Sequence, residues 1–410
     1  MNRGESVVIV GGGIWGLSTA YHLARAGWTD VEVLERNGAL FDETTSQAAG
    51  LVGQIRATPL MRRAIRYAID LFLNFEKETD HDPGFRQAGS LLLALKPERM
   101  ASFEEHVEHA NSSGVEARFV DGAEMSRLAP HLDVKRVEGG YFVLEDGYLD
   151  PRQCARAFCG AAEDLGVRIR TGTVATGLSI RDDRVVGVET DHGFVEAEYV
   201  VVTAGPWTGT LAKMAGHQTA MVPIRHQRVT TAPVPGIPDP HPVVRVTDAS
   251  CYLRPEESGY LYGFFEPDPT SYDPDLPSGF HTSEIEEPVE VMEEARERLA
   301  PIFPVLEDLE ITGYKRGLTT FAPDGAYLVG PVPRVEGLFA ATGCAALGIA
   351  GSAAVGRWLA GWIARGDPGE DLSSVNLERF GEKASDREWI RREGEEFYGG
   401  YYSIPAMSVT

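Results

Sequence analysis

Val7-Val8-Ile9-Val10-Gly11-Gly12-Gly13-Ile14-Trp15-Gly16-Leu17-Ser18-Thr19-Ala20, followed by a second apolar run that closes at Glu35-Arg36, decides the fold of this chain. Val7 to Val10 is apolar without alternation, as in a strand buried on both faces, and Leu17 to Ala26 carries helical spacing. The glycines therefore fall in the turn between a strand and a helix. Gly11 serves the tight turn, Gly13 lets backbone approach a pyrophosphate, and Gly16 lets the helix lie against the strand, with Ile14 and Trp15 in the same cradle. The free N–H groups and positive end of that helix suit the pyrophosphate. Glu35 stands where a carboxylate accepts hydrogen bonds from a ribose diol. This βαβ unit predicts a dinucleotide site.

At 410 residues, 43% hydrophobic and 24% charged, the chain has room for two or three domain-sized cores. A formal net charge of -23 excludes nucleic acid and anionic membrane as expected partners, since both ask for positive surface. Cys154, Cys159, Cys251 and Cys344 show no C-x-x-C spacing, and no signal segment precedes the first strand, so the expected compartment is the cytoplasm. Gly337 to Ala364 carries only Arg357 as a charge. Its glycines and its separate leading strand favour a buried core helix over a membrane span.

Further along, Thr44 to Leu51 is a small-residue stretch suited to close approach by a flat ligand, and it leads through Arg56 into a helix over Pro59 to Glu78. Gly89 to Leu95 reads as a strand and Glu98 to Ser113 as an amphipathic helix, whose His106 and His109 are expected on a solvated polar face without a third metal ligand. Asp150 caps a helix that Pro151 opens. Four strand-like pieces, beginning at Val167, Val174, Val185 and Phe194, read as one antiparallel meander. The buried run from Tyr199 stops at Ala204-Gly205 before Trp207, small enough to lie over a nucleotide. Residues 216–315 are Pro-rich with mixed strands and helices, which suggests an inserted substrate domain. Gly317 to Gly330 then leads to Thr342-Gly343-Cys344-Ala345-Ala346-Leu347-Gly348-Ile349, a turn expected to open a helix whose first amides face an anionic ring.

Four of these stretches, in order, resemble the D-amino acid oxidase superfamily of FAD-dependent amine oxidoreductases: Gly11-x-Gly13-x-x-Gly16 with Glu35-Arg36, Thr45 to Leu51, Thr203-Ala204-Gly205-x-Trp207, and Phe321 to Gly330 with Thr342 to Ile349. Within it the sequence is most similar to the oxidase domain of dimethylglycine and sarcosine dehydrogenases. Ser46-x-Ala48-Ala49-Gly50-Leu51, Arg225-His226-Gln227, Tyr252-x-Arg254 with Gly263 and Glu266-Pro267, and Phe397-Tyr398 with Tyr401-Tyr402 carry that similarity. The resemblance implies an α/β fold of the D-amino acid oxidase/glutathione reductase 2 type: a Rossmann-like FAD-binding domain with an inserted α+β, mixed-sheet substrate domain. The expected segments are 1–86, 148–215 and 316–382 for FAD, 87–147 and 216–315 for substrate, and an unassigned tail, 383–410.

The implied reaction is oxidation of the C–N bond of a small secondary or tertiary N-methyl amino acid, such as sarcosine or dimethylglycine, by hydride transfer to the flavin. O2 or an electron-transfer protein is the expected acceptor. The flavin does the hard chemistry and the protein orients it. His226, with a reference pKa near 6.5, is expected to accept or tune the amine proton, and Tyr252 to steer the amine. A substrate carboxylate asks for an arginine: Arg254, which alternation puts on the face of Tyr252, then Arg56 or Arg316. Gly11, Gly13, Ile14, Trp15, Gly16, Glu35, Arg36, Thr45, Ser46, Gln47, Ala49, Gly50, Leu51, Val174, Ala204, Gly205, Trp207, Gly317, Gly343, Leu347, Gly348 and Ile349 are expected around the cofactor, and the amides of Ala345 to Ile349 at the pyrimidine of the reduced flavin.

Two departures stand out. Gln47 replaces a histidine that in those dehydrogenases bonds covalently to the flavin, so FAD is expected to be noncovalent. No folate-binding domain follows, so a formaldehyde-level product is expected to leave as such. Two other readings stay open: deamination of a D-amino acid, imino acid or opine, and a flavin-holding subunit of an electron-transfer complex.

Overall fold

The computed structural model describes residues 4–403, so the part of the tail at 404–410 lies outside the described residues. Six strands form the central sheet in the order Leu328–Pro331, Leu338–Thr342, Tyr199–Val202, Val7–Val10, Val31–Leu34, Arg168–Arg170. All neighbours are parallel except the first pair. Alternation distributes the side chains to two covers. Val7, Ile9, Val31 and Val33 meet the helices Ile14–Arg25, Pro59–Thr79, Pro151–Asp164 and Ser352–Arg365, while Val8, Val10, Val200 and Val202 meet a three-stranded meander. That meander is Ala175–Arg181, Arg184–Thr190 and Gly193–Glu196.

The piece at Val167 to Ile169 does not belong to the meander. It continues as the parallel edge strand Arg168–Arg170, where Arg168 reaches Asp30 at 2.7 Å and Arg170 reaches Glu32 at 2.6 Å. Opposite charges flank this pairing, and period-two patterning does not reveal it. The apolar run at Gly337 to Ala364 divides into the strand Leu338–Thr342 and the buried helix Ser352–Arg365. That helix crosses Ile14–Arg25 closely enough that a Cβ on Gly356 would lie 2.3 Å from Ser18 Oγ. No helix among the described residues is long and apolar enough to cross a membrane.

A second sheet of eight strands runs Ile311–Phe321, Val222–Thr231, Gly259–Phe264, Cys251–Glu256, Val243–Val246, Ser90–Ala94, Gly139–Val143, Ala117–Val120. Its single parallel contact, Val243–Val246 against Ser90–Ala94, joins strands that are far apart in sequence. One face packs on the helix Val289–Leu299 and part of the other on Pro97–Ser112. The strand Ile311–Phe321 runs through residues 315 and 316, so the expected domain boundary falls inside one continuous element.

Register sets the important row. Tyr141, Leu92, Arg245, Tyr252 and Gly263 are successive cross-strand partners, and all five lie on the face opposite the Val289–Leu299 helix. The tail is fixed to this sheet by the helix Arg387–Gly399, capped by Asp386, whose Gly394 has its Cβ position 2.4 Å from Val222 Cγ1.

Candidate active site

One cavity of about 600 Å3 extends from the glycine-rich turn to the row just described. At the turn the three glycines have different surroundings. A Cβ on Gly11, whose φ is +114°, would lie 2.6 Å from the Thr203 carbonyl oxygen, and one on Gly16 would lie 2.0 Å from that of Gly11. Gly13 instead faces the cavity, with only Thr45 Oγ1 near its Cβ position at 3.2 Å. Close packing thus requires Gly11 and Gly16, and open space is reserved at Gly13. Glu35 is 9% exposed and accepts N–H bonds from Gly12 and Asn37, each 2.9 Å. Burial pushes its carboxyl up, against those two bonds. Arg36 stacks over Trp207 at 3.6 Å.

The small-residue segment is held from the second sheet by two buried arginines. Arg228 Nε donates to the Gln47 carbonyl at 3.0 Å and Arg254 Nε to the Ala49 carbonyl at 2.7 Å. Gln47 Nε2 donates to Thr282 Oγ1 at 2.9 Å, while its Oε1 is buried without a partner among the described residues beside Gly317, where a Cβ would stand 2.5 Å from it. At the far side the loop Gly343 to Ile349 hangs on the end of Ile311–Phe321: Thr320 Oγ1 accepts from Gly343 and Cys344, and Thr319 Oγ1 from Ala346. Trp15 Nε1 donates to the Gly348 carbonyl at 2.7 Å, tying the two ends of the cradle together.

This loop corrects one expectation. The following helix starts only at Ser352, and the amides of Ala345, Ala346 and Leu347 are spent on Thr320, Thr319 and Cys344. Of the five amides expected at an anionic ring, those of Gly348 and Ile349 are left without partners among the described residues. An open slot at Gly13, a carboxylate at the ribose position, an orphaned amide oxygen at Gln47 and two free N–H groups fit a dinucleotide with a flat polar ring.

Most of the other expected cofactor residues line the same cavity: Ile14, Trp15, Arg36, Thr45, Gln47, Ala49, Gly50, Leu51, Val174, Ala204, Gly205, Trp207, Gly317 and Leu347. Gly16, Ser46 and Gly343 stand behind its wall. Ser46 Oγ bonds the Glu43 carbonyl, and Gly343 takes the left-handed φ of +69° that turns the late loop.

His226 and Tyr252 also line the cavity. His226 is held between two hydroxyls, Nδ1 at 2.8 Å from Tyr398 and Nε2 at 2.9 Å from Tyr252, with Phe265 4.5 Å from its ring. Burial, with Arg228 adding to it, takes its pKa down to about 3. A neutral imidazole has one N–H, so one tyrosine donates to it and the other accepts. The lowered pKa disfavours His226 as an acceptor of the amine proton near its reference value, and its bonds to the two hydroxyls suit the tuning role. Tyr252 can fold toward His226 because its strand neighbour is glycine: a Cβ on Gly263 would lie 2.1 Å from the Tyr252 hydroxyl.

The arginine expectation changes as well. Arg254, 1% exposed, lies outside the cavity; its Nε and Nη1 are spent on the carbonyls of Ala49 and Pro255 and on Glu256, and its Nη2 is buried without a partner among the described residues. Arg316 is likewise engaged outside, by Ile285, Ser283 and Glu287. Arg56 does reach the cavity. It bonds only the Ile55 carbonyl, its Nε is buried without a partner, and it has no carboxylate partner among the described residues.

Sequence reasoning missed Arg245 and Arg99, both on the cavity wall, because only sheet register and the packing of Pro97–Ser112 place them there. Arg99 pairs with Asp248 at 3.0 Å and Arg245 lies 3.7 Å from Asp146. The unassigned tail supplies Tyr401 and Tyr402 to the same wall, with Tyr401 stacked on Phe265 at 4.0 Å. The aromatic pairs Phe397-Tyr398 and Tyr401-Tyr402 were the available signal. His106 leaves the expected solvated face: half-buried, it lines the cavity with Nδ1 unpartnered.

The profile of the DAO family, described as FAD dependent oxidoreductase, matches residues 6–362. The chain is 31% identical to mitochondrial dimethylglycine dehydrogenase of Rattus norvegicus over 407 residues, which is 97% of this chain and 47% of that protein. It is also 31% identical to the formaldehyde-forming 4-methylaminobutanoate oxidase of Paenarthrobacter nicotinovorans, over 97% of this chain and 48% of that one. The chain thus spans about half the length of the curated relatives it matches. Among solved structures, L-proline dehydrogenase from P. horikoshii superposes with a TM-score of 0.82 at 24% identity, covering 93% of this chain and 98% of that one. The fold and the cradle define a flavin-type dinucleotide-binding oxidoreductase. The chain belongs to the DAO family of FAD-dependent oxidoreductases.

Proposed function

We propose that the protein oxidises the C–N bond of an N-methyl amino acid with FAD held noncovalently, O2 or an electron-transfer protein being the final acceptor. One observation carries the reading: Arg56, a guanidinium without a carboxylate partner among the described residues, shares one cavity with the neutral Tyr252–His226–Tyr398 chain and the glycine cradle. The printed activities of the relatives, which act on dimethylglycine and 4-methylaminobutanoate, support an N-methyl substrate. Gln47 supports noncovalent binding, because an amide side chain lacks a nucleophilic nitrogen and here is tied to Thr282.

Bound FAD supplies a hydride acceptor for the carbon beside the substrate nitrogen. Gly11, Gly13 and Glu35 would hold its ADP half, and the free amides of Gly348 and Ile349 would serve its ring. Arg56 pairs with the substrate carboxylate, which a guanidinium does in bidentate fashion. Oxidation needs an amine with a free lone pair. His226 stays neutral and cannot store the amine proton; it orients the Tyr252 hydroxyl toward the nitrogen instead. The cavity itself disfavours the protonated amine, through aromatic walls that exclude water. The proton leaves to solvent on binding.

An anaerobic panel of amines read at the flavin absorbance tests the proposal. Bleaching by an N-methyl amino acid with formaldehyde release is the expected result. Ammonia and keto acid release in its place points to a deaminase of a D-amino acid, imino acid or opine, and no reduction by any N-alkyl amino acid removes the reading.

A further inference from the structure

Tyr252, His226 and Tyr398 stand in a row whose far end comes from the tail. The helix Arg387–Gly399 docks on Val222–Thr231, the strand that carries His226. It brings the Tyr398 hydroxyl to Nδ1 at 2.8 Å, while the Tyr252 hydroxyl meets Nε2 at 2.9 Å. A neutral imidazole has one proton for two nitrogens, so the row can run in either direction. In the first, Tyr398 donates to Nδ1, Nε2–H donates to Tyr252, and the Tyr252 O–H is spare. In the second, Tyr252 donates to Nε2, Nδ1–H donates to Tyr398, and the Tyr398 O–H is spare.

Burial decides between them. Tyr398 is 0% exposed, does not line the cavity, and is enclosed by Phe265 and Phe321, whose rings lie 5.2 and 5.5 Å from its own. Its hydroxyl has no acceptor besides His226 among the described residues. The backbone N–H of Glu266 also meets the Tyr398 oxygen and can only donate to it, while the Glu266 carboxylate is turned to Arg225, 3.4 Å away. A spare O–H at Tyr398 would therefore be orphaned. Tyr252 lines the cavity, where a ligand or water can take its hydrogen. An orphaned buried hydroxyl disfavours the second direction by about 5- to 150-fold. Burial also keeps both phenols protonated and the imidazole neutral, so the row sets the direction of hydrogen bonds and transfers no charge.

Resting on the function proposed above, we infer that Tyr398 is a positioning residue: from the tail it fixes the proton of His226 on Nε2, and so leaves the Tyr252 O–H as the donor that meets the lone pair of the substrate nitrogen. A hydroxyl donor recognises the free-base amine, which has a lone pair to accept with, over the ammonium form, which has none. The row thus selects the form that oxidation needs.

FAD-loaded protein labelled with nitrogen-15 at histidine gives the direct reading, because a ring nitrogen that carries hydrogen differs in shift and coupling from one that does not. The His226 signals are those missing from His226→Asn. Wild type is expected to carry the hydrogen on Nε2, and a hydrogen on Nδ1 overturns the proposal. Tyr398→Phe removes one oxygen from a buried ring, and a thermal melt checks that it folds. In this variant the hydrogen is expected to spread over both nitrogens. The second reading is the dissociation constant of methoxyacetate, a sarcosine analogue with an ether oxygen in place of the amine, taken from the perturbed flavin spectrum. Tyr398→Phe and Tyr252→Phe are each expected to weaken it by about 2- to 10-fold, the value of a neutral hydrogen bond. Added to Tyr252→Phe, Tyr398→Phe is expected to cost nothing more, because it acts through Tyr252. A loss of the same size with and without Tyr252 marks a merely structural role and overturns the proposal, as does a tautomer unchanged by Tyr398→Phe. Methoxyacetate that fails to bind flavin-loaded wild type removes the amino acid reading and the substrate contact with it, and the nitrogen spectrum separately decides the tautomer.

Discussion

Replacing Arg56 by glutamine separates the carboxylate assignment made here from the one that strand alternation suggests. Arg56 has a buried, unpartnered Nε, and its charge is the one on the cavity wall with no acid behind it. Truncating one member of a buried, hydrogen-bonded charge pair costs about 2–5 kcal/mol. Because Arg56 is only half-buried, the lower part of that range applies, about 2–3 kcal/mol, or roughly a 30- to 150-fold rise in the substrate dissociation constant. Stopped-flow reduction under anaerobic conditions reads this directly, as the substrate concentration that half-saturates the rate. The limiting rate should change far less, since Arg56 holds the carboxylate and not the reacting carbon. Arg254→Gln should do something different. It leaves the Ala49 carbonyl and Glu256 without their donor, so it should lower the melting temperature and loosen FAD, with a substrate dissociation constant within a few-fold of wild type. A silent Arg56→Gln beside an Arg254→Gln that weakens substrate selectively refutes the assignment.

Three further outcomes are expected. The histidine His226, whose folded pKa of about 3 lies below its unfolded value, contributes stability that is present above pH 6.5 and lost as pH falls toward 3, at about 1.4 kcal/mol per pH unit. His226→Asn should therefore flatten the acid side of the urea-denaturation profile relative to wild type, and parallel profiles would contradict the burial argument. Acid precipitation should release all flavin into the supernatant, and flavin retained in the pellet would overturn the noncovalent reading built on Gln47. Gly16→Ala places a Cβ 2.0 Å from the Gly11 carbonyl oxygen, so it should cost about 1–3 kcal/mol and yield protein depleted of FAD, measured by the ratio of flavin to protein absorbance.

Much of the fold was legible because it rests on local signals. The buried runs, the Gly11-x-Gly13-x-x-Gly16 turn, the Asp150-Pro151 helix start and the split of Gly337 to Ala364 into strand and helix all follow from period, caps and glycine placement. Those signals say which element forms, and in a nucleotide cradle the element and the site nearly coincide. The errors came where one element had to be placed against another. Arg168–Arg170 joins the parallel sheet beside Val31–Leu34, a neighbour that no periodicity encodes.

The glycine turn from Gly11 to Gly16 and the position of Glu35 were thus legible in the sequence alone, because strand, turn, helix and second strand follow one another in one βαβ unit, while their packing against Thr203 and Thr45 was not. The substrate half was decided only in three dimensions. Arg254 shares strand alternation with Tyr252, yet its long side chain turns back to Ala49, while Arg245 comes beside Tyr252 by register with a different strand. Burial between Tyr252 and Tyr398 lowers the pKa of His226, and Tyr398 belongs to a tail that no local pattern connects to the cavity. A pKa and an unpaired charge are properties of an environment, and that environment is assembled from segments distant in the chain.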